Sequence, residues 1–288
     1  MKDLGELSSF LGIRVIRTKE EITLDQEYYT EKLLVKYNMN EAKAVATPCE
    51  ERTKGLDVSK LLATNNLYRS AVGSLIYLSK CTRPDIAYAV SKVSMHFEKP
   101  TEENWTAVKR IFRYLKGTIT SKLCYTKRSA DGLYGYADAS YAEDNGTEKK
   151  RRSVGAYIFM LNGAAISWCS KRQRITALSS MEAELIALTE AAKEGIWLRK
   201  LEADLGIIDK KLLIYEDNQA TIKTSDKRIH TERSKHIDVR HYFIREKVEA
   251  GEVEVKYCST TNMIADALTK GLARVLHQRH TAGLGIKF

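Results

Sequence analysis

K-L-L-I-Y-E-D-N-Q-A-T-I, Lys211 to Ile222, sets an apolar run directly against two acids and an amide pair. Leu212 to Tyr215 read as a buried strand, and Glu216 and Asp217 follow where that strand ends. A carboxylate at such a point is costly to bury unless a proton, a cation or a metal compensates it. The stretch therefore predicts that Asp217 has company elsewhere in the chain.

Three other acids stand in comparable places. Asp138 lies at the end of a strand in G-Y-A-D-A-S, Glu184 in the first turns of a long helix in S-S-M-E-A-E-L-I-A, and Asp266 near the start of the last helix in N-M-I-A-D-A-L. Glu182 is the rival of Glu184, and spacing separates them. Ser179-x-x-Glu182 is a capping box, which gives Glu182 a structural task. On a wheel of about 100° per residue, Leu178, Met181, Leu185, Leu188, Ala191 and Ala192 form one apolar arc. Glu184 falls inside that arc and Glu182 outside it.

The elements carrying these acids predict an α/β fold. Leu133–Ala137, Val154–Leu161 and Ala164–Trp168 read as consecutive strands, the last two joined by the Asn162-Gly163 hairpin signal. A helix from Ser180 to about Asp204 follows, then the strand Leu212–Tyr215 and helical stretches at 219–225 and 235–250. The strand Glu252–Tyr257 and a final helix from about Asn262 complete a mixed sheet with flanking helices.

Four carboxylates converging on one point repel one another unless divalent cations neutralise them. Oxygen-only donors favour hard ions, Mg²⁺ or Mn²⁺. Two such ions about 4 Å apart activate a water and stabilise the leaving oxygen of a phosphodiester displacement. Acids at helix starts and strand ends are also common without a metal, so order along the chain leaves convergence open.

Upstream, residues 1–47 read as a small mixed piece. Phe10–Ile16 and Ile22–Leu24 are expected as strands around the turn Arg17–Glu21, with a helix over about Gln26–Tyr37. Residues 65–117 read as helical, with Thr101 as N-cap and Gly117 as terminator of the last helix. Trp105, Val108, Phe112 and Leu115 form its core stripe, and Lys109, Arg110, Arg113 and Lys116 a solvated basic face.

Composition sets outer bounds. The 288 residues are 43% hydrophobic and 29% charged, a globular profile. No apolar run approaches the roughly 20 residues of a membrane span, and no signal-peptide pattern is present. Five scattered cysteines without a C-x-x-C pair argue for reduced thiols in an intracellular protein. Of the net charge of +10, residues 1–128 carry 22 basic and 15 acidic side chains and residues 129–288 carry 25 and 22. A basic chain with a nearly balanced second half suits a polyanion held beside an acidic site.

The ordered pieces M-K-D-L-G-E-L-S-S-F-L-G-I, A-T-P, Y-R-S-A-V-G-S-L-I-Y-L, T-R-P-D-I-A-Y-A-V, R-Y-L-K-G-T, G-Y-A-D-A-S-Y-A, I-S-W-C-S-K-R-Q, A-L-S-S-M-E-A-E, E-D-N-Q-A, S-K-H-I-D and A-D-A-L-T-K run through nearly the whole chain. Together they resemble the C-terminal part of a copia-type LTR retrotransposon Pol polyprotein, the tail of its reverse transcriptase followed by its ribonuclease H. The resemblance implies a ribonuclease H-like mixed five-stranded sheet preceded by a smaller, mainly helical thumb and connection region. The segments it implies are the end of the palm with its primer-holding hairpin at 1–47, thumb and connection at 48–127, ribonuclease H at 128–275 and a tail at 276–288. It further implies that Asp138, Glu184, Asp217 and Asp266 hold two Mg²⁺ ions, that Asn218 and Gln219 touch the sugar-phosphate backbone, and that the substrate is an RNA–DNA hybrid. The rest of a Pol polyprotein in cis is the implied partner, and a virus-like particle in the cytoplasm or the nucleus the implied location.

Departures from the family pattern bear on activity. No Tyr-x-Asp-Asp polymerase segment occurs, so polymerisation by this chain alone is not expected. The loop before Asp266 reads Tyr257-Cys-Ser-Thr-Thr261, without the mobile His of many ribonucleases H, which implies slower product release. Ser140 and Tyr141 replace an Asp-Trp pair that the family often carries. A catalytically silent nucleic-acid-binding remnant is the alternative from another class. An integrase-like site is disfavoured, because there the order runs Asp, Asp, Glu.

His230, His236 and His241 invite a zinc reading, but five residues separate the last two and no Cys pair completes a set. The basic runs Lys149–Arg152 and Lys171–Arg174, the latter with Lys171, Arg172 and Arg174, are candidates for phosphate contact. Trp168 and Trp197 are expected in the core.

Overall fold

The computed structural model describes residues 5–51, 60–127, 132–142, 151–207, 211–226 and 235–288. In chain order these form β1 (Ser9–Phe10), β2 (Ile13–Arg17), β3 (Glu21–Asp25), α1 (Glu27–Lys36), α2 (Asn66–Cys81), α3 (Ala87–Ser94), α4 (Glu102–Lys116) and β4 (Lys122–Thr126). There follow β5 (Tyr134–Ser140), β6 (Val154–Leu161), β7 (Ala164–Arg172), α5 (Ser180–Asp204), β8 (Leu212–Glu216), α6 (Gln219–Asp226), α7 (Lys235–Glu249), β9 (Val253–Tyr257), α8 (Arg274–Gly283) and β10 (Ile286–Lys287). They group into two units: Met1–Ser129 with Asn162–Ala164 and Gly271–Phe288, and Ala130–Leu161 with Ala165–Lys270.

The first unit joins a sheet of order β1-β2-β3-β4-β10 to a helical core. The expected strand Phe10–Ile16 is in fact two. Phe10 pairs with Ile13 across a two-residue turn in which Leu11 and Gly12 both have positive φ, +47° and +72°. That geometry matches the right-handed twist of the flanking strands. Strands β4 and β10, which the sequence reading did not contain, close the sheet through Leu123 and Ile286.

Helices α2, α3 and α4 pack Tyr68, Leu75, Val108, Phe112 and Leu115 against Leu33 and Leu34 of α1. Thr101 caps α4 by accepting from the Asn104 amide, and the Asn104 side chain returns the bond to the Thr101 backbone. The basic face of α4 is largely committed within the unit. Arg110 bonds Thr47, Arg113 bonds the Lys43 carbonyl, and Lys116 bonds that of Asn40.

The second unit is a mixed sheet of order β7-β6-β5-β8-β9. Antiparallel β5 and β6 adjoin parallel β5, β8 and β9. Asn162 and Gly163 take positive φ and turn β6 into β7, as the Asn-Gly signal predicts. This is the α/β, mixed five-stranded sheet with flanking helices that the sequence implied. Helix α5 covers one face, packing Leu185, Leu188 and Ala192 onto Phe159, Leu212 and Ile214. Gly195 permits that approach, since a Cβ there would lie 2.6 Å from Leu212 and 2.7 Å from Phe159.

Four expectations about side chains and ends are corrected. Trp168 is buried, but Trp197 is 56% exposed on the outer side of α5. Leu178 precedes the helix and is 81% exposed. Ser179 caps α5, yet the Glu182 carboxylate reaches the Leu178 amide instead of the cap residue's own, and Glu182 is buried. No helix starts at Asn262. Two 3-10 turns, Thr260–Asn262 and Ile264–Leu268, stand there, and Met263, Ala265, Ala267 and Leu268 are all buried. No helix among the described residues is long and apolar enough to cross a membrane.

Candidate metal centre

Asp138 and Asp217 meet because β5 and β8 are parallel neighbours. Their register pairs Tyr136 with Tyr215, so the acids two residues further on lie side by side. Asp217 stands just past the end of β8, but Asp138 is inside β5, which runs on to Ser140 instead of ending there as expected. The carboxyl ends of strands are where open α/β sheets build their sites. Glu184 arrives from the first turns of α5, where the Ala139 backbone hydrogen-bonds its carboxyl. One ligand oxygen from each of Asp138, Glu184 and Asp217 lies within 4.8 Å of the others.

Asp266 enters from the turn Ile264–Leu268 and is close enough to Asp138 to hydrogen-bond it. It lies outside the three-acid group. Its Oδ1 is 2.7 Å from the Lys270 ammonium, one helical turn on in sequence. Asp138 is held from the same segment by the Thr269 hydroxyl, which donates to Oδ2. Thr260 donates to Oδ2 of Asp217 at 2.7 Å.

Burial raises the pKa of four carboxyls here, those of Asp138, Glu184, Glu216 and Asp266. Asp138 is pushed up to about 7 by burial and then by Asp266, against the Thr269 hydroxyl and the Lys270 ammonium. Glu184 is pushed up to about 11 by burial and then by Glu216, Asp138 and Asp217. Glu216 is raised well above the carboxylate range by burial, although the Asn218 amide donates to its Oε1 at 3.1 Å. Asp266 is raised by burial and held back by Lys270. A cation entering such a group would release protons and receive charge in return.

The residues present fit a hard divalent cation. The donors are all oxygen, and a buried oxygen of Glu184, Oε2, has no hydrogen-bond partner. An orphaned acceptor at a polar cluster calls for an ion or a donor to satisfy it.

The remaining candidates are spread around this centre. Asn218 is half-buried and accepts from the Thr221 amide at 3.1 Å, capping α6, while Gln219 is exposed. Lys171 and Arg174 are exposed and Arg172 half-buried at the end of β7. Lys149, Lys150 and His230 lie outside the described residues, as does the side chain of His236. Among the described residues no metal-compatible group contains a histidine.

Sequence reasoning missed Glu216, Thr260, Thr269 and Lys270 as parts of the site. Two of them were legible. Period-two alternation from Leu212 and Ile214 puts Glu216 on the buried face, and Lys270 stands four residues after Asp266.

No protein-family model matches the chain. A retrovirus-related Pol polyprotein from transposon TNT 1-94 of Nicotiana tabacum is 43% identical over 286 residues, covering 95% of this chain and 21% of the polyprotein. That from transposon RE2 of Arabidopsis thaliana is 36% identical over 288 residues, 99% of this chain and 20% of the polyprotein. An uncharacterized mitochondrial protein of Arabidopsis thaliana is 35% identical over 197 residues, 68% of this chain and 80% of that protein. The chain thus spans about a fifth of the length of the two polyproteins. Among solved structures, LC11-RNase H1 isolated from compost matches with a TM-score of 0.37 at 13% identity, covering 48% of this chain and 92% of that one. RNase H1 from Halobacterium salinarum matches with a TM-score of 0.35 at 16% identity, covering 48% and 95%.

Proposed function

The chain belongs to the retrovirus-related Pol polyproteins of copia-type transposons, and on that premise we propose that its second unit is a ribonuclease H cutting the RNA strand of RNA–DNA hybrids. The carrying observation is that Asp138, Glu184 and Asp217 bring ligand oxygens within 4.8 Å of one another. Asp266 stands beside Asp138 as the fourth acid.

Asp138, Glu184, Asp217 and Asp266 would hold two Mg²⁺ ions, with Mn²⁺ as a substitute. When bound, such a pair supplies activation of a water and stabilisation of the leaving oxygen in an in-line displacement. The chain's own residues do the rest. Asp138 and Glu184 give up the protons that burial makes them keep, and Thr269 and Thr260 fix the Asp138 and Asp217 carboxylates from the other side. Gln219, Asn218, Lys171, Arg172 and Arg174 would bind backbone phosphates, which position a duplex without reading its sequence. A hybrid shows 2′-hydroxyls on one strand only, in a wide, shallow minor groove, so strand choice needs no base contact.

In this reading residues 1–47 are the end of a reverse-transcriptase palm, 48–127 its thumb and connection, 128–275 the ribonuclease H and 276–288 a tail. The work is part of RNA-directed DNA synthesis in transposition, alongside the rest of the polyprotein. A hybrid-cleavage assay in Mg²⁺ tests it with the parent and Asp217→Asn. Cleavage falling by on the order of a hundredfold or more in the variant supports the enzyme. Equal background in both would leave a silent nucleic-acid-binding fold.

A further inference from the structure

The four acids are not compensated alike. Asp266 has an ammonium at 2.7 Å, whereas no lysine or arginine pairs with Asp138, Glu184 or Asp217 among the described residues. Lys270 is fixed close by through its backbone, whose N–H donates to the Asp266 carbonyl at 3.2 Å. Its side chain is 39% exposed while that of Asp266 is almost wholly buried. The ammonium can therefore turn out into water without leaving its own charge stranded, but Asp266 has no such exit.

We propose that Lys270 is the built-in counter-ion of the Asp266 edge of the cluster. A first divalent cation then enters among Asp138, Glu184 and Asp217, and a second enters beside Asp266 only by displacing the lysine. This rests on the metal-site reading given above and adds an order of loading to it. Lys270 is a positioning residue: it holds Asp266 and Asp138 in place before ions arrive, and it sets the concentration at which the second ion is taken up. The coupling is reciprocal, so whatever the ammonium contributes to Asp266 without ions is subtracted from the affinity of the second ion.

The test is ion counting on the full chain, by Mg²⁺ titration calorimetry and by electron paramagnetic resonance of Mn²⁺. The parent should bind one ion more tightly than the second. Lys270→Gln should tighten the second site by about tenfold and the first by much less, and Lys270→Arg should keep the parent's gap. Mg²⁺ should also raise the melting temperature of Lys270→Gln more than that of the parent. A second-site affinity in Lys270→Gln within about twofold of the parent overturns the proposal, as do two equally tight sites in the parent. A Lys270→Gln chain that folds only with Mg²⁺ supports it, because the ion then replaces the ammonium; one that fails to fold with or without Mg²⁺ overturns it. The metal-site reading fails separately if the parent binds no divalent ion, or if Asp138→Asn binds ions as the parent does.

Discussion

Thr269 donates its hydroxyl to Oδ2 of Asp138, a residue 131 positions earlier in the chain. The threonine is fully buried, so this bond is part of how the last segment of the second unit orients the central acid. Partners of metal ligands typically contribute 10- to 100-fold to metal affinity.

Thr269→Val keeps the shape and removes the donor. It should weaken Mg²⁺ binding by about 10- to 100-fold, with Thr269→Ser restoring most of it. Calorimetric titration checks this, and an affinity equal to the parent's would show that the hydroxyl does not orient the site.

Stability without divalent ions should fall as pH rises. Asp138 ionises from an ordinary 3.8 when unfolded and near 7 when folded. Between those values the folded chain binds more protons than the unfolded one, so unfolding becomes easier with each step up in pH. Glu184, raised from 4.5 to about 11, extends the trend into alkaline pH. Mg²⁺ held as proposed would oppose it by pairing with the ionised forms. The gain in melting temperature on adding Mg²⁺ should therefore be larger at roughly pH 8 than at roughly pH 5. A gain that shrinks with pH contradicts the assignment of these two carboxyls.

The first unit contains a buried charge network with no role in the proposed chemistry. Arg83 grips both oxygens of Asp85 at 3.0 and 2.8 Å, Tyr114 donates to Asp85 at 2.7 Å, and the His277 ring lies 3.1 Å from the Tyr114 hydroxyl. Arg83→Met strands a buried carboxylate and should cost about 3–5 kcal/mol. Tyr114→Phe should cost about 1–3 kcal/mol. Denaturant unfolding monitored on the first unit reads both, and hybrid cleavage by folded protein should change little.

Gly195→Ala should destabilise the second unit by about 1–3 kcal/mol, offset by less than about 1 kcal/mol of helix propensity. Its Cβ would meet the Leu212 and Phe159 side chains, so either these repack or α5, which carries Glu184, shifts on the sheet. A loss of Mg²⁺ affinity accompanying the loss of stability would confirm that helix placement positions the acid.

Legibility in the sequence followed the range of the interactions involved. Helix α5 was readable from Ser179 to Asp204 because its cap and apolar arc are local, and the β6–β7 hairpin because Asn162-Gly163 dictates its own turn. Strand β4 was not, since K-L-C-Y-T carries no alternation and becomes a strand only by pairing with residues about a hundred positions away, Glu21 among them. Ile286-Lys287, too short to have a period, pairs with β4 from still further off. At the site, the four candidate acids stood out in the sequence, but that Asp266 lies outside the three-acid group did not. Trp197, expected in the core, stands exposed on α5.

The strand that completes the first unit's sheet, β10, lies beyond every residue of the second unit. During synthesis on a ribosome, the second unit can therefore be finished while the segment encoded before it still lacks its closing edge. Assembly in the cell would run against the order of translation, with the earlier-made part settling last and spending the interval in need of protection from misfolding.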